Sequence, residues 1–244
     1  DFKNWNQFQG IATDSYVASV GSDGQWTGAV NYLGNPVFMK ENHIHVVSVS
    51  SSGAHQISET TARGVQKGSH KSLAIVNEVL FYKSRQDVCA WQGGFPSTVS
   101  ENLGQERYTE AVGGVSSGKY YISMKDTEGV WHLFVFDSQK HLWIHEDNLR
   151  VTSFASVDDE LYAATVDGFL LAMNGTVGTP ENGMQWMAES GILYYLYPDR
   201  KYVSRYDIRM KMEEGAMMDI FCEYDSNGRW IPSGTVRFKG TNSV

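Results

Sequence analysis

The sequence predicts an all-β chain: a β-propeller of about four to five blades of antiparallel strands, followed by a C-terminal antiparallel meander. Three observations carry that expectation. The first is composition: of 244 residues 13% are aromatic and 24 are glycine, while only five are proline, a mixture suited to strands and tight turns. The second is a repeat. Short apolar runs recur at PVFMK (Pro36–Lys40), VLFYK (Val79–Lys83), KYYIS (Lys119–Ser123) and ELYAAT (Glu160–Thr165), and their aromatic markers Phe38, Phe81, Tyr121 and Tyr162 stand 43, 40 and 41 residues apart. The third is that each run is followed by a second one after a charged or glycine-bearing joint, KEN, KSRQ, KDTEG or TVDG, of hairpin length.

The elements follow in order. In the first unit, 10–63, PVFMK is followed by IHVVSVS from Ile44 and HQISET from His55. In the second, 64–107, SLAIVN, VLFYK, DVCAWQ and FPSTVSENLG supply four segments. The third, 108–149, reads VGGVSSG, KYYIS, VWHLFVFD and KHLWIHED, and the fourth, 150–190, reads VTSFASVD, ELYAAT and FLLAMNG. A three- or four-stranded sheet of about 40 residues cannot bury both faces alone, so copies must pack on one another, and radial stacking at this period is a propeller. A β-sandwich with even strand spacing is the competing architecture. Residues 191–244 change character. KYVSRYDIRMKME (Lys201–Glu213) alternates apolar and charged positions, and AMMDIFCEYD and RWIPSGTVRFKG follow across turns, so a small sheet or a last blade is expected there.

Charge and targeting narrow the partners. Formal net charge is −8 with both signs interspersed, and no basic run suits a phosphate backbone, so no nucleic-acid partner is expected. No apolar run approaches the roughly 20 residues of a membrane span, so no membrane insertion is expected. Nothing resembles a secretory leader.

Several motifs invite chemistry, and each has a structural alternative. GVSSG (Gly114–Gly118) matches a hydrolase nucleophile elbow, but strand-like KYYIS follows at once and Ser116 lacks the required helix. His43 and His45 share a strand face and His141 and His145 lie four apart, with no third metal ligand suggested by spacing. VDDE (Val157–Glu160) and EDN (Glu146–Asn148) cluster carboxylates as solvated turns would. DSNG (Asp225–Gly228) has part of a calcium loop but fits a hairpin turn. NGT (Asn174–Thr176) has the form of a glycosylation sequon. Cys89 and Cys222 read as isolated buried strand residues. Trp91, Trp131, Trp143, Trp186 and Trp230 could build a carbohydrate-stacking platform, although inter-sheet core is the commoner use of strand aromatics. No catalytic, cofactor-binding or metal-binding residue is therefore assigned, no cofactor is expected, and the chain is expected not to be an enzyme.

The run SLAIVNEVLFYKSRQDVCAWQGGFPSTVSENLG resembles one blade in structural proteins of bacteriophages and prophages of gut Firmicutes. The stretch from Trp186 to Gly240 is similar to a more specific motif of the same proteins, matched at Lys201, Tyr202, Ser204, Arg205, Arg209, Tyr224, Asp225, Ser226, Gly228 and Trp230. In that family a segment rich in proline, arginine and cysteine follows, so the resemblance implies a fragment of a longer protein. It also implies a virion component, tail-associated or at the head–tail connector, made in the bacterial cytoplasm and carried in the phage particle. Other virion proteins are then the expected partners, with a host-surface glycan as the alternative and homo-oligomerisation left open. A non-enzymatic docking platform is the leading expectation. A carbohydrate-binding tail module is the second, and a propeller glycoside hydrolase with convergent carboxylates is the third.

Overall fold

The tips of the hairpins organise the fold. The computed structural model describes residues 20–104, 106–173, 186–193, 204–210, 212 and 214–238. The chain divides into two units, Asp1–Pro180 and Glu181–Val244. In the first unit lie β1 (Trp26–Tyr32), β2 (Asn35–Lys40), β3 (His43–Val49) and β4 (His55–Thr61). Next come β5 (Ala74–Val76), β6 (Val79–Lys83), β7 (Val88–Trp91) and β8 (Ser97–Thr98), then β9 (Tyr108–Ser116), β10 (Lys119–Asp126), β11 (Trp131–Asp137) and β12 (Leu142–Asp147). The unit ends with β13 (Val151–Val157), β14 (Glu160–Thr165) and β15 (Leu170–Ala172). Each group forms its own antiparallel sheet with neighbours in chain order, and none closes on itself. The protein is all-β, and among the described residues no helix is long and apolar enough to cross a membrane.

The first turn of every sheet in this unit is built alike. Tyr32 faces Asn35, Val76 faces Val79, Ser116 faces Lys119 and Val157 faces Glu160, leaving two-residue loops. All eight loop residues have positive φ: Leu33 and Gly34, Asn77 and Glu78, Ser117 and Gly118, Asp158 and Asp159. Two consecutive left-handed residues match the right-handed twist of the flanking strands, and Asn, Asp and Gly adopt them at least cost. Glu78, at φ 66°, lacks that advantage. Glu78→Gly is expected to stabilise the chain by about 0.5–1 kcal/mol, read as a rise in the denaturation midpoint. The Glu78 carbonyl that accepts the Tyr32 hydroxyl at 2.6 Å would be kept.

The sheets pack face to face in sequence. Between the first and second, Val37, Met39 and Ile44 meet Leu80, Tyr82, Cys89 and Trp91. Between the second and third, Val76, Phe81 and Val88 meet Tyr120, Ile122, Met124, Phe134 and Phe136. Between the third and fourth, Tyr121 and Val135 meet Leu161. Because side chains alternate along a strand, Leu80 and Tyr82 look back to the first sheet while Phe81 looks on to the third. In β10, likewise, Ile122 and Met124 look back and Tyr121 looks forward. Strands buried on both faces read as unbroken apolar runs, which is why VLFYK and KYYIS stood out.

One marker is displaced. Phe38 was expected to be the counterpart of Phe81, but Val37 and Met39 are the residues that face the second sheet. Phe38 lies on the opposite face beside Trp26, at 5.9 Å between ring centroids. A shift of one residue exchanges the two faces of a strand, so Met39 takes the forward-facing place.

In the second unit, β16 (Met217–Glu223) and β17 (Trp230–Arg237) form an antiparallel hairpin. Pro232, without an N–H to give, sits opposite Phe221 beside a register shift at Ile220/Phe221. The third strand expected over Lys201–Glu213 is not seen in its described part: residues 204–210 and 212 carry no strand. Its remaining positions, 201–203, 211 and 213, lie outside the described residues.

Candidate functional site

The most elaborate polar cluster of the first unit is the β6–β7 hairpin, KSRQD. The Ser84 hydroxyl accepts the N–H groups of Gln86 and Asp87, at 3.3 and 3.1 Å, and donates to Asp87 Oδ1. Asp87 Oδ2 takes the Arg63 guanidinium and, at 2.5 Å, the Thr98 hydroxyl, while the Cys89 thiol lies 3.2 Å from Oδ1. Arg63 also reaches Thr98 Oγ1 at 2.8 Å and the Pro96 carbonyl at 3.1 Å. Burial alone would push the Asp87 carboxyl up, but the donors from Ser84, Thr98 and Cys89 and the charge of Arg63 hold it below the usual range. Burial, reinforced by the Asp87 charge, pushes the Cys89 thiol up to about 12. A thiol held protonated is a poor nucleophile. The cluster ties the chain at Arg63 to β7 and β8.

Lys83, buried in the same sheet, donates to Gln66 Oε1 at 3.2 Å and to the Ser84 carbonyl. Burial brings its ammonium down to about 8, against the smaller upward pull of Asp87. A folded-state value below the ordinary 10.5 means that folding disfavours the charged form. The penalty is present below pH 8 and relieved as pH rises from about 8 toward 10.5. Lys83→Met is expected to stabilise the protein by about 1 kcal/mol at pH 7 and to flatten its stability profile over that interval, as denaturant titrations at several pH values would read.

Five of the seven histidines fall into three settings. His43 and His45 lie on the face of the first sheet turned away from the second. His45 Nε2 is 3.0 Å from Ser22 Oγ and 3.4 Å from Glu59 Oε2, with the Trp26 ring at 4.9 Å. His43 Nδ1 is 2.9 Å from Glu59 Oε1 but out of line for a hydrogen bond. His132 Nε2 lies 2.9 Å from Asp126 Oδ2, and His145 packs on Phe134 at 5.0 Å. The hydrogen bond with His132 and the N–H groups of Val130 and Glu128 hold the Asp126 carboxyl below the usual range, against its own desolvation. His141 is four residues from His145 but turns to a different neighbour, Phe136, at 6.2 Å. Among the described residues, no group of three or more His, Cys, Asp or Glu is placed to hold a metal ion.

The remaining motifs resolve into turns and close approaches. GVSSG is strand, turn and strand: Ser116 ends β9, Ser117 and Gly118 form the tip, and β10 follows. Asp158 and Asp159 of VDDE are the equivalent tip of the fourth sheet. Asp147 of EDN accepts the Asn148 N–H at 2.6 Å. In DSNG, Asp225 and Ser226 both have positive φ, and Glu223 Oε1 accepts the Gly228 N–H at 2.5 Å. NGT lies outside the described residues. Cys222, in the second unit, lies 3.3 Å from the Tyr206 hydroxyl.

The tryptophans divide between core and surface. Trp91 is core, tilted against Tyr32 at 4.9 Å with its N–H on the Gly94 carbonyl at 2.9 Å. Trp143 packs on Phe136 at 4.9 Å and donates to the Val99 carbonyl at 2.6 Å. Trp131 is half-buried under Arg150, 5.3 Å from the ring, while Trp186 and Trp230 are exposed.

A cleft of about 430 Å³ opens where the second and third sheets diverge. Their first strands, β5 and β9, lie close together, and twisted sheets that meet along one side splay apart on the other. Phe81 and Phe136, 5.7 Å apart, form its floor with Val79 and Val99. Gln92, Gln139 and His141 stand around it, and Asn77 donates to Ser138 Oγ at 3.1 Å along one wall. Phe95 stands at the lip, 80% exposed, after Gly93 and Gly94, whose φ values of 100° and 74° make the turn that presents it. Sequence reasoning passed over these residues because Phe95 follows a glycine pair in what reads as a loop, and because no strand pattern tells how far two sheets separate. No family model matches this chain, and no curated protein matches it.

Proposed function

We propose that the chain is a non-enzymatic structural and interaction module of a phage particle, a rigid β-propeller platform on which other tail or connector proteins dock. The observation that carries the platform reading is the two-sided burial of β6 and β10, whose alternate residues pack on the preceding and following sheets. A sheet gripped on both faces cannot slide without opening two close-packed interfaces. Support for the propeller arrangement comes from the four matching hairpin tips, beginning at Leu33, Asn77, Ser117 and Asp158, each at the first turn of a sheet that packs on its neighbour. The assignment to a virion rests on the resemblance of the segment from Lys201 to Trp230, of which Ser204, Arg205, Arg209, Tyr224, Asp225, Ser226, Gly228 and Trp230 lie among the described residues.

Chemical cross-linking and mass spectrometry of purified particles from a lysogen carrying the gene test the proposal. Expected are stoichiometric peptides of this chain and cross-links from it to tail or connector proteins. Particles lacking the chain would end the virion reading.

A further inference from the structure

We propose that the cleft between the second and third sheets is a binding site for a short neutral carbohydrate, a di- or trisaccharide segment of a glycan, with Phe95 as its stacking face. The inference goes beyond the docking role and does not rest on it. Its first support is charge. Charged residues make up 20% of the chain, yet none lines the cleft. A nucleotide, a phosphorylated group or an acidic sugar would find no Lys or Arg there and only the single imidazole of His141, whereas a neutral ligand needs no counter-ion.

The second support is the pairing of apolar and polar groups. A pyranose presents apolar C–H faces and a rim of hydroxyls. The cleft offers an aromatic floor in Phe81 and Phe136, an exposed ring at the lip in Phe95, and uncharged donors and acceptors around them. The side-chain amides of Gln92 and Gln139 make no hydrogen bond to any described residue, so each brings both a donor and an acceptor to the mouth. Asn77 and Ser138 are already tied together, and Ser138 is tied on to the Gly118 carbonyl at 2.8 Å, so that wall is preorganised. The third support is size. The volume lies within the range of small-molecule sites.

Saturation-transfer NMR of the whole chain with lactose, maltose, cellobiose and N,N′-diacetylchitobiose tests the proposal. A glucuronic-acid disaccharide and a proline-rich peptide serve as competitors, and Phe95→Ala and Gln92→Ala/Gln139→Ala as variants. Both variants change surface side chains, and circular dichroism checks that they stay folded. Expected is transfer to at least one neutral disaccharide, an affinity weakened about tenfold by Phe95→Ala, and a weakening by the double glutamine variant. Silence from all four sugars overturns the proposal, as does affinity unchanged in both variants, or displacement by the acidic disaccharide or the peptide in preference to neutral sugar. None of those failures touches the virion-association result, which is read on particles.

Discussion

Asp87→Ala is expected to cost about 3 kcal/mol of folding stability, measured as a lower denaturation midpoint with an unchanged slope. Breaking a partly buried ion pair by removing one partner is expensive because the other charge is left uncompensated. Here the loss reaches further, since Arg63, Ser84, Thr98 and Cys89 all direct donors at the one carboxylate. Arg63 is partly open to solvent, which keeps the figure below the upper end of such losses.

The same carboxylate sets a pH dependence whose sign is fixed by its environment. Its folded-state value is depressed below the ordinary 3.8, so the stability it contributes is fully present above that value and is lost as pH falls through the folded-state value. Asp87→Asn should therefore flatten the acid limb of the stability profile. Asp126 and Asp137 are depressed as well, chiefly by hydrogen bonds from His132 and from the Lys140 N–H, so a part of the limb should survive. An acid limb identical in wild type and Asp87→Asn would show that the cluster is not a folding determinant.

Gly114→Val is expected to cost about 3 kcal/mol, while Ser116→Ala two residues away should cost under about 1 kcal/mol. A Cβ on Gly114 would lie 2.6 Å from both Cβ and Cγ of Phe154 in the fourth sheet, and one on Gly113 would lie 2.8 Å from the Ser72 carbonyl oxygen, before the second. Adjacent residues on a strand point to opposite faces, so the glycine pair lets β9 pass between two neighbours at once. The loss should appear in thermal melts, with relief from Gly114→Val/Phe154→Ala. A larger loss from Ser116→Ala than from Gly114→Val would return attention to the serine.

The GVSSG turn shows how much of the candidate chemistry could be settled from residues alone. GVSSG was legible as turn material because strand-like residues follow it without a helix, and the structure adds why each glycine is there: close approach for Gly114, a left-handed φ of 74° for Gly118. VDDE was legible as a turn for the same reason. Phe38 and Met39 were not separable, since an apolar run with no polar alternation leaves open which neighbour each face meets. The cleft was not legible at all. Gln92, Phe95, Gln139 and His141 come from segments roughly 45 residues apart, and no local pattern brings them together.

By itself the sequence determined the all-β character, the existence of successive hairpin sheets and most of their turns. Periodicity, turn chemistry and β-branched or aromatic content are local quantities, written into neighbouring residues. Only the tertiary structure decided which face of each sheet meets which neighbour, that Lys201–Glu213 shows no strand in its described part, and where two sheets part to leave a cleft. Those outcomes follow from sheet twist and from competition among apolar faces for cover, which depend on residues far apart in the chain.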